Sequence, residues 1–151
     1  MERIASFCVD HTRLKRGLYV SRKDGDVITY DLRMCRPNQD PPASTGALHA
    51  LEHLGATWLR NSSRKDEVIY FGPMGCRTGF YLLLRDSVSR AEALELVRAC
   101  TAFCAAFEGE IPGATAVECG NYTDMDLPAA KALAARYAAD LAPLTEQDLT
   151  Y

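Results

Sequence analysis

Residues 48–54 read Leu-His-Ala-Leu-Glu-His-Leu, and this stretch predicts a helix with a metal-binding side. His49 and His53 are four residues apart, so on a helix they lie one turn apart on the same side. Glu52 directly precedes the second histidine and borders that side. Two imidazoles at this spacing can bind one metal ion, and an adjacent carboxylate can transfer a proton. The order His-x-x-Glu-His is the inverted zincin pattern.

The apolar residues around this stretch recur at helical spacing and predict an amphipathic helix. They form one stripe, made of Ala47, Leu48, Leu51, Leu54, Gly55, Trp58 and Leu59. At about 100° per residue, the stripe points away from His49 and His53. The two histidines therefore face either a site or solvent, and the alternative to a metal site is a solvated pair on a surface helix.

The flanking sequence predicts an α+β fold, a mostly antiparallel β-sheet with helices packed on it, in a single domain over residues 1–151. The predicted strands are 18–21 and 27–34, which form a hairpin around an Asp24-Gly25 turn, then 68–71, 78–84 and a last strand at 114–118. The central helix is predicted from Ser44 or Thr45 to Asn61 or Ser62. A second helix is predicted from the capping box of Ser89 and Glu92 to a Gly109 cap, and a third from Asp126 to about Asp140.

Composition excludes several classes of function. The net charge of −3 provides no basic surface for nucleic acid. No apolar run approaches the ~20 residues that span a bilayer, and the N-terminus has no hydrophobic signal core, so we expect a cytoplasmic protein. In a reducing compartment the six cysteines are expected to be free thiols rather than disulfides.

A catalytic metal site commonly has three protein ligands and one open position. The candidates for the third ligand beside the histidines are Cys119, Cys76, Asp124 and Glu118. A thiol near a divalent metal has a lowered pKa and can transfer protons at neutral pH. If Cys76 stays free, it and Glu52 form a pair of proton carriers suited to enolisation next to a carbonyl.

Five segments resemble the motifs of one known family, the S-ribosylhomocysteine lyases (LuxS, autoinducer-2 synthase). The segments are Ser6-Phe7-x-x-Asp10-His11, Asp31-Leu32-Arg33-Met34-Cys35-Arg36-Pro37-Asn38, His49-Ala50-Leu51-Glu52-His53-Leu54, Pro73-Met74-Gly75-Cys76-Arg77-Thr78-Gly79 and Glu118-Cys119-Gly120-Asn121. They occur in the family's order and cover essentially the whole chain.

The resemblance implies a cytosolic homodimer with two sites at the interface, each built from both subunits. It implies one divalent metal per chain, with iron(II) as the native ion and zinc or cobalt as substitutes, although the ligand types alone indicate zinc. The implied reaction cleaves the thioether of S-ribosylhomocysteine by carbonyl migration and β-elimination. The products are homocysteine and 4,5-dihydroxy-2,3-pentanedione, the autoinducer-2 precursor.

The resemblance also implies a role for each matching residue. The metal ligands are His49, His53 and Cys119, the catalytic proton carriers are Glu52 and Cys76, and the substrate contacts are Ser6, His11 and Arg33. The last three roles replace the local interpretation of residues 6–11 as a capped turn and of Arg33 as a surface ion-pair residue or anion clamp.

The sequence departs from the family pattern before Pro73, where Tyr70 and Gly72 stand in place of an acidic residue and a hydroxyl. Two alternatives therefore accompany the lyase hypothesis. One is a non-catalytic metal-binding relative in which these changes abolish turnover. The other is a metallopeptidase of the inverted zincin class.

Overall fold

Four strands form one antiparallel sheet in the computed structural model, which describes all residues from 1 to 151. The strands are β1 (Gly17–Asp24), β2 (Val27–Arg33), β3 (Val68–Pro73) and β4 (Gly79–Arg85), in the spatial order β1-β2-β4-β3. The helices are α1 (Thr45–Leu59), α2 (Arg90–Ala106) and α3 (Leu127–Leu141), with 3-10 turns at Ala5–Phe7, Tyr122–Asp124 and Glu146–Asp148. The predicted α+β class is confirmed.

The core lies between the three helices and one face of the sheet. Along β4, Phe80, Leu82 and Leu84 are completely buried, whereas Tyr81 and Leu83 on the opposite face are only partly buried. The predicted apolar stripe of α1 joins this core. Each fully buried leucine stabilises the fold by about 1.5–3 kcal/mol, so hydrophobic packing holds α1 and its exposed side in place. None of the helices has the length and apolar composition needed to cross a bilayer.

The turn between β1 and β2 is displaced by one residue from its predicted position. Asp24 pairs with Val27, so Gly25 and Asp26 form the two-residue loop. Of these two residues only Gly25 has a positive φ, of 60°. A type I′ turn needs positive φ at both central positions, and the loop therefore differs from the predicted type as well.

The helix starts agree with the sequence signals. The Ser44 hydroxyl accepts a hydrogen bond from the backbone N–H of Ala47 at 3.2 Å, a cap that stabilises a helix by about 1 kcal/mol. The predicted capping box of Ser89 and Glu92 is present at the start of α2. Asp126 caps α3 as predicted.

Two helix ends differ from prediction. The side chains of Asn61 and Ser62 each donate a hydrogen bond of 2.7 Å to a carbonyl of the last turn, and α1 ends at Leu59. Phe107, with an extended ψ of 135°, caps α2. Gly109 lies beyond that cap and has a φ of 114°, so it redirects the chain after the helix instead of capping it.

The strand predicted at residues 114–118 is wrong. Its apolar residue Val117 is 97% exposed and is not packed against the core. The backbone N–H groups of Glu118 and Cys119 donate to the carbonyl of Thr115 at 3.2 and 3.0 Å, which is the pattern of a turn. Cys119 is therefore presented by a turn and not by the end of a strand.

Candidate active site

Three metal-ligating side chains meet at the exposed side of α1. The Nε2 atom of His49 lies 3.3 Å from the Sγ atom of Cys119. The imidazoles of His49 and His53 are 4.9 Å apart between ring centroids, at an interplanar angle of 73°. One ligand atom from each of the three residues lies within 4.8 Å of the others, and all three side chains are partly buried. Of the four candidates for a third donor, the structure brings Cys119 to the histidines.

Groups behind the imidazoles orient them toward this point. The Nδ1 atom of His53 lies 2.7 Å from the carbonyl oxygen of Pro112, so it carries the proton and donates it there. The Nδ1 atom of His49 lies 3.5 Å from a carboxylate oxygen of Asp124. Since the Nδ1 atom of His53 donates to a carbonyl, its Nε2 lone pair is available to a metal, and the carboxylate beside Nδ1 of His49 favours the same arrangement there. Asp124, itself a candidate third ligand, lies behind a histidine instead.

The donor set fits one divalent metal ion. Two imidazole nitrogens and one thiolate leave a fourth position open, as in catalytic sites. The backbone N–H of Asn121 donates to the Cys119 sulfur at 3.5 Å and helps to orient it. Glu118 accepts a hydrogen bond from Thr115 at 2.8 Å and is exposed, so it does not join the three donors.

Cys76 lies in a second group of residues, in the turn between β3 and β4. The backbone N–H of Met74 donates to the carbonyl of Gly79, and that of Arg77 donates to Met74, both at 2.9 Å. Arg77 has a φ of 60°, a conformation that is uncommon outside glycine and that clusters at functional sites. The thiol faces a pocket of about 280 Å³ lined by His11, Pro37, Asn38, Asp40, Pro42, Cys76 and Thr78.

The surroundings of Cys76 favour its thiolate form. Burial opposes this, but hydrogen bonding with Thr78 and the positive charge of Arg33 outweigh it and lower the pKa of the Cys76 thiol. The Oγ1 atom of Thr78 lies 3.1 Å from the Cys76 sulfur. Arg33 donates from Nη1 to that oxygen at 2.6 Å, and the same nitrogen is 4.0 Å from the sulfur. Because the Thr78 oxygen already accepts from Arg33, its own proton can point at the sulfur.

Comparison with known proteins now assigns the family. The family model described as S-Ribosylhomocysteinase (LuxS) matches residues 4–147. The chain belongs to this family. Curated S-ribosylhomocysteine lyases of Clostridium beijerinckii and Desulfotalea psychrophila are each 50% identical over 157 residues, covering 100% of this chain and 99% of the relative. The lyase of Clostridium acetobutylicum is 49% identical over 156 residues, with the same coverage. The resemblance read from the five segments is confirmed.

The residues given roles in the sequence analysis fall into two groups within the chain. His11 and Cys76 line one pocket, and Arg33 reaches that pocket from β2. Ser6 lies half-buried in the short turn Ala5–Phe7, and no side-chain hydrogen bond fixes it. Glu52 is half-buried on α1, directly before His53 in the sequence. No hydrogen bond or ion pair joins the His49 cluster to the Cys76 pocket.

Tyr70 and Gly72, the two unexpected residues of the sequence analysis, are one structural unit. A Cβ atom added at Gly72 would lie 2.0 Å from the Tyr70 hydroxyl oxygen and 2.5 Å from the ring carbon that bears it. The tyrosine therefore lies over the glycine along β3, and any larger residue at Gly72 would displace it. Tyr70 remains 50% exposed, on the face of the sheet opposite the helices. The conformation of Tyr70 thus depends on the absence of a side chain at Gly72.

Sequence reasoning missed the groups that support the functional side chains. Asp31, completely buried, accepts from Nε and Nη2 of Arg33 at 3.1 and 2.5 Å, a bidentate pair. The spacing of two along β2 places both residues on one face and could have indicated this pair. The acceptors behind the imidazoles, Pro112 and Asp124, carry no comparable signal, since their contacts depend on how distant loops fold.

Proposed function

We propose that this LuxS family member is an S-ribosylhomocysteine lyase. It cleaves the thioether of S-ribosylhomocysteine and yields homocysteine and 4,5-dihydroxy-2,3-pentanedione. The full-length match to curated lyases carries this proposal, and the cluster of His49, His53 and Cys119 supports it. The third donor is a thiol and not the carboxylate that an inverted zincin would need, so a metallopeptidase is not favoured.

The metal ligands proposed are His49, His53 and Cys119, and a divalent metal bound there supplies a Lewis acid that polarises a sugar oxygen. Glu52 and Cys76 move the protons between neighbouring sugar carbons, so that the carbonyl migrates along the chain. A proton then leaves the carbon next to the carbonyl while the carbon–sulfur bond breaks, and homocysteine departs. A thiol with a lowered pKa suits proton transfer near neutral pH, and Glu52 supplies a half-exposed carboxylate directly before His53.

We propose iron(II) as the native metal, one ion per chain, with zinc and cobalt as substitutes. All six cysteines are free, and two of them carry proposed functions that need the thiolate. A reducing compartment preserves both thiols, so the proposed location is the cytoplasm. There the reaction recycles homocysteine for the activated methyl cycle and supplies the precursor of a quorum-sensing signal.

We also propose a homodimer in which each active site combines the metal cluster of one chain with the Cys76 pocket of the other. Three observations support it. The metal cluster and the pocket share no hydrogen bond within the chain. The pocket, at about 280 Å³, is slightly smaller than the ~300–1,000 Å³ usual for small-molecule sites. The sheet face that carries Tyr70, Tyr81 and Leu83 is incompletely covered, as expected of an interface.

Homocysteine release tests the proposed reaction. Protein purified without oxygen and loaded with iron(II) is incubated with S-ribosylhomocysteine, and the new thiol is titrated. We expect one homocysteine for each substrate consumed. A chelator should stop the release and added metal should restore it, because the metal polarises the sugar oxygen.

The opposite result is equally informative. Protein that binds one metal ion per chain but releases no homocysteine would contradict the lyase proposal. It would support the non-catalytic alternative, in which the Tyr70–Gly72 pair abolishes turnover.

A further inference from the structure

The buried carboxylate of Asp31 has a second partner besides Arg33. The hydroxyl of Tyr151 donates to its Oδ2 atom at 2.7 Å. That oxygen also accepts from Nη2 of Arg33 at 2.5 Å, and neither Asp31 nor Arg33 is more than 2% exposed. A residue far from β2 in sequence thus completes the ion pair that holds the guanidinium.

The hydrogen bonds from this carboxylate to Cys76 form a continuous series. Tyr151 and Arg33 both donate to Asp31, and the Nη1 atom of Arg33 donates to Thr78. Thr78 in turn contacts the Cys76 sulfur at 3.1 Å. Asp31, Arg33 and Thr78 are buried, so each link among them polarises the next, and the series ends on a thiol whose surroundings favour the anion.

The fold fixes Tyr151 in its place. Its ring stacks on that of Tyr19, with centroids 5.0 Å apart and an interplanar angle of 16°. Leu149, two residues earlier, is completely buried, and its carbonyl accepts from the backbone N–H of Val20 at 2.9 Å. Burial and the negative charge of Asp31 raise the pKa of Tyr151, so its hydroxyl keeps the proton that it donates.

We propose that Tyr151 is a positioning residue for Cys76, which it serves by fixing Asp31 and thereby the guanidinium of Arg33 beside Thr78 and the sulfur. This rests on the role proposed for Cys76. Without the Tyr151 hydroxyl, the Asp31 carboxylate loses a hydrogen-bond donor. More of its negative charge then offsets the positive charge of Arg33. The thiolate then receives less stabilisation, and the pKa of Cys76 rises.

Other charged and titratable groups also face the thiol. His11 and Asp40 line its pocket, and Tyr81 interacts electrostatically with the Cys76 thiolate. A change at Tyr151 leaves these groups in place. A difference between variants in the pH dependence of Cys76 alkylation therefore comes from the hydrogen-bonded series and not from the other groups around the thiol.

The test is the pH dependence of Cys76 alkylation in the full-length, metal-loaded protein. Iodoacetamide is the probe, and mass spectrometry of the Cys76 peptide separates this thiol from the other five. For Tyr151→Phe we expect a midpoint at higher pH and an alkylation rate at pH 7 that is roughly threefold lower. Thr78→Val, which removes the direct donor, should shift the midpoint further.

Tyr19→Phe is the matched control. The Tyr19 hydroxyl donates to the carbonyl of Lys15 and not to Asp31. The alkylation profile of Tyr19→Phe should therefore coincide with that of the wild type. A Tyr151→Phe profile that coincides with the wild type, with or without a lower melting temperature, would overturn the positioning role. An equal shift in Tyr19→Phe would overturn it too. Because the readout needs no turnover, it is independent of whether the lyase proposal holds.

Discussion

Cys76→Ala is expected to keep its metal and lose thioether cleavage. Within the chain the sulfur belongs to the pocket with His11 and is not one of the three clustered donors, so metal content should stay at one ion per chain. A positioned proton carrier contributes about 100- to 10,000-fold to the rate, and turnover should fall within that range. Metal analysis and homocysteine release, measured on the same preparation, give both quantities.

Cys8→Ala is the control for this variant. Cys8 is also an exposed thiol, but it lies outside the pocket, and its sulfur donates to the carbonyl of Ile4 at 3.6 Å. Its removal should leave the rate of release unchanged. Full activity in Cys76→Ala would refute the proton-transfer role, and loss of metal there would show that Cys76 is a ligand.

Cys119→Ala is expected to lose the metal, and activity with it. The variant removes one of three donors that lie within 4.8 Å of each other. Loss of an outer partner of a ligand already weakens metal affinity by about 10- to 100-fold, so loss of a direct donor should exceed that. The affinity is measured by competition with a chelator of known strength, and cobalt(II) adds a second readout through its thiolate absorption band.

Glu118→Ala is the matched variant next to it. The carboxylate of Glu118 was a candidate ligand from the sequence, but it is exposed and accepts from Thr115. We expect the Glu118→Ala variant to bind metal as tightly as the wild type. A Cys119→Ala variant with normal metal content would refute the ligand assignment, and metal loss in Glu118→Ala would move the assignment to that residue.

The parts of the fold that follow from local rules could be predicted. The stripe of α1 requires only the period of a helix, and its burial leaves His49 and His53 on the other side. Caps such as Ser44 and Asp126 satisfy backbone groups within one turn, so their effect is local as well.

The parts that depend on distant neighbours could not be predicted. Val117 has the residue type of a strand, but it is not packed against the core, and a turn forms. Arg33 was expected on an outer face, yet Asp31 on its own strand and Tyr151 near the end of the chain bury its charge. The overlap of Tyr70 with Gly72 likewise appears only when the strand is built.

Subunit mixing tests most directly whether each active site combines the metal cluster of one chain with the Cys76 pocket of another. Cys76→Ala and Cys119→Ala chains, each inactive alone, are co-expressed with different tags and assembled together. A shared site restores one intact site in every mixed dimer, and random pairing then gives about a quarter of the wild-type activity. If each site lies within a single chain, no combination is intact, and activity that stays at the level of the two parent variants would contradict the shared site.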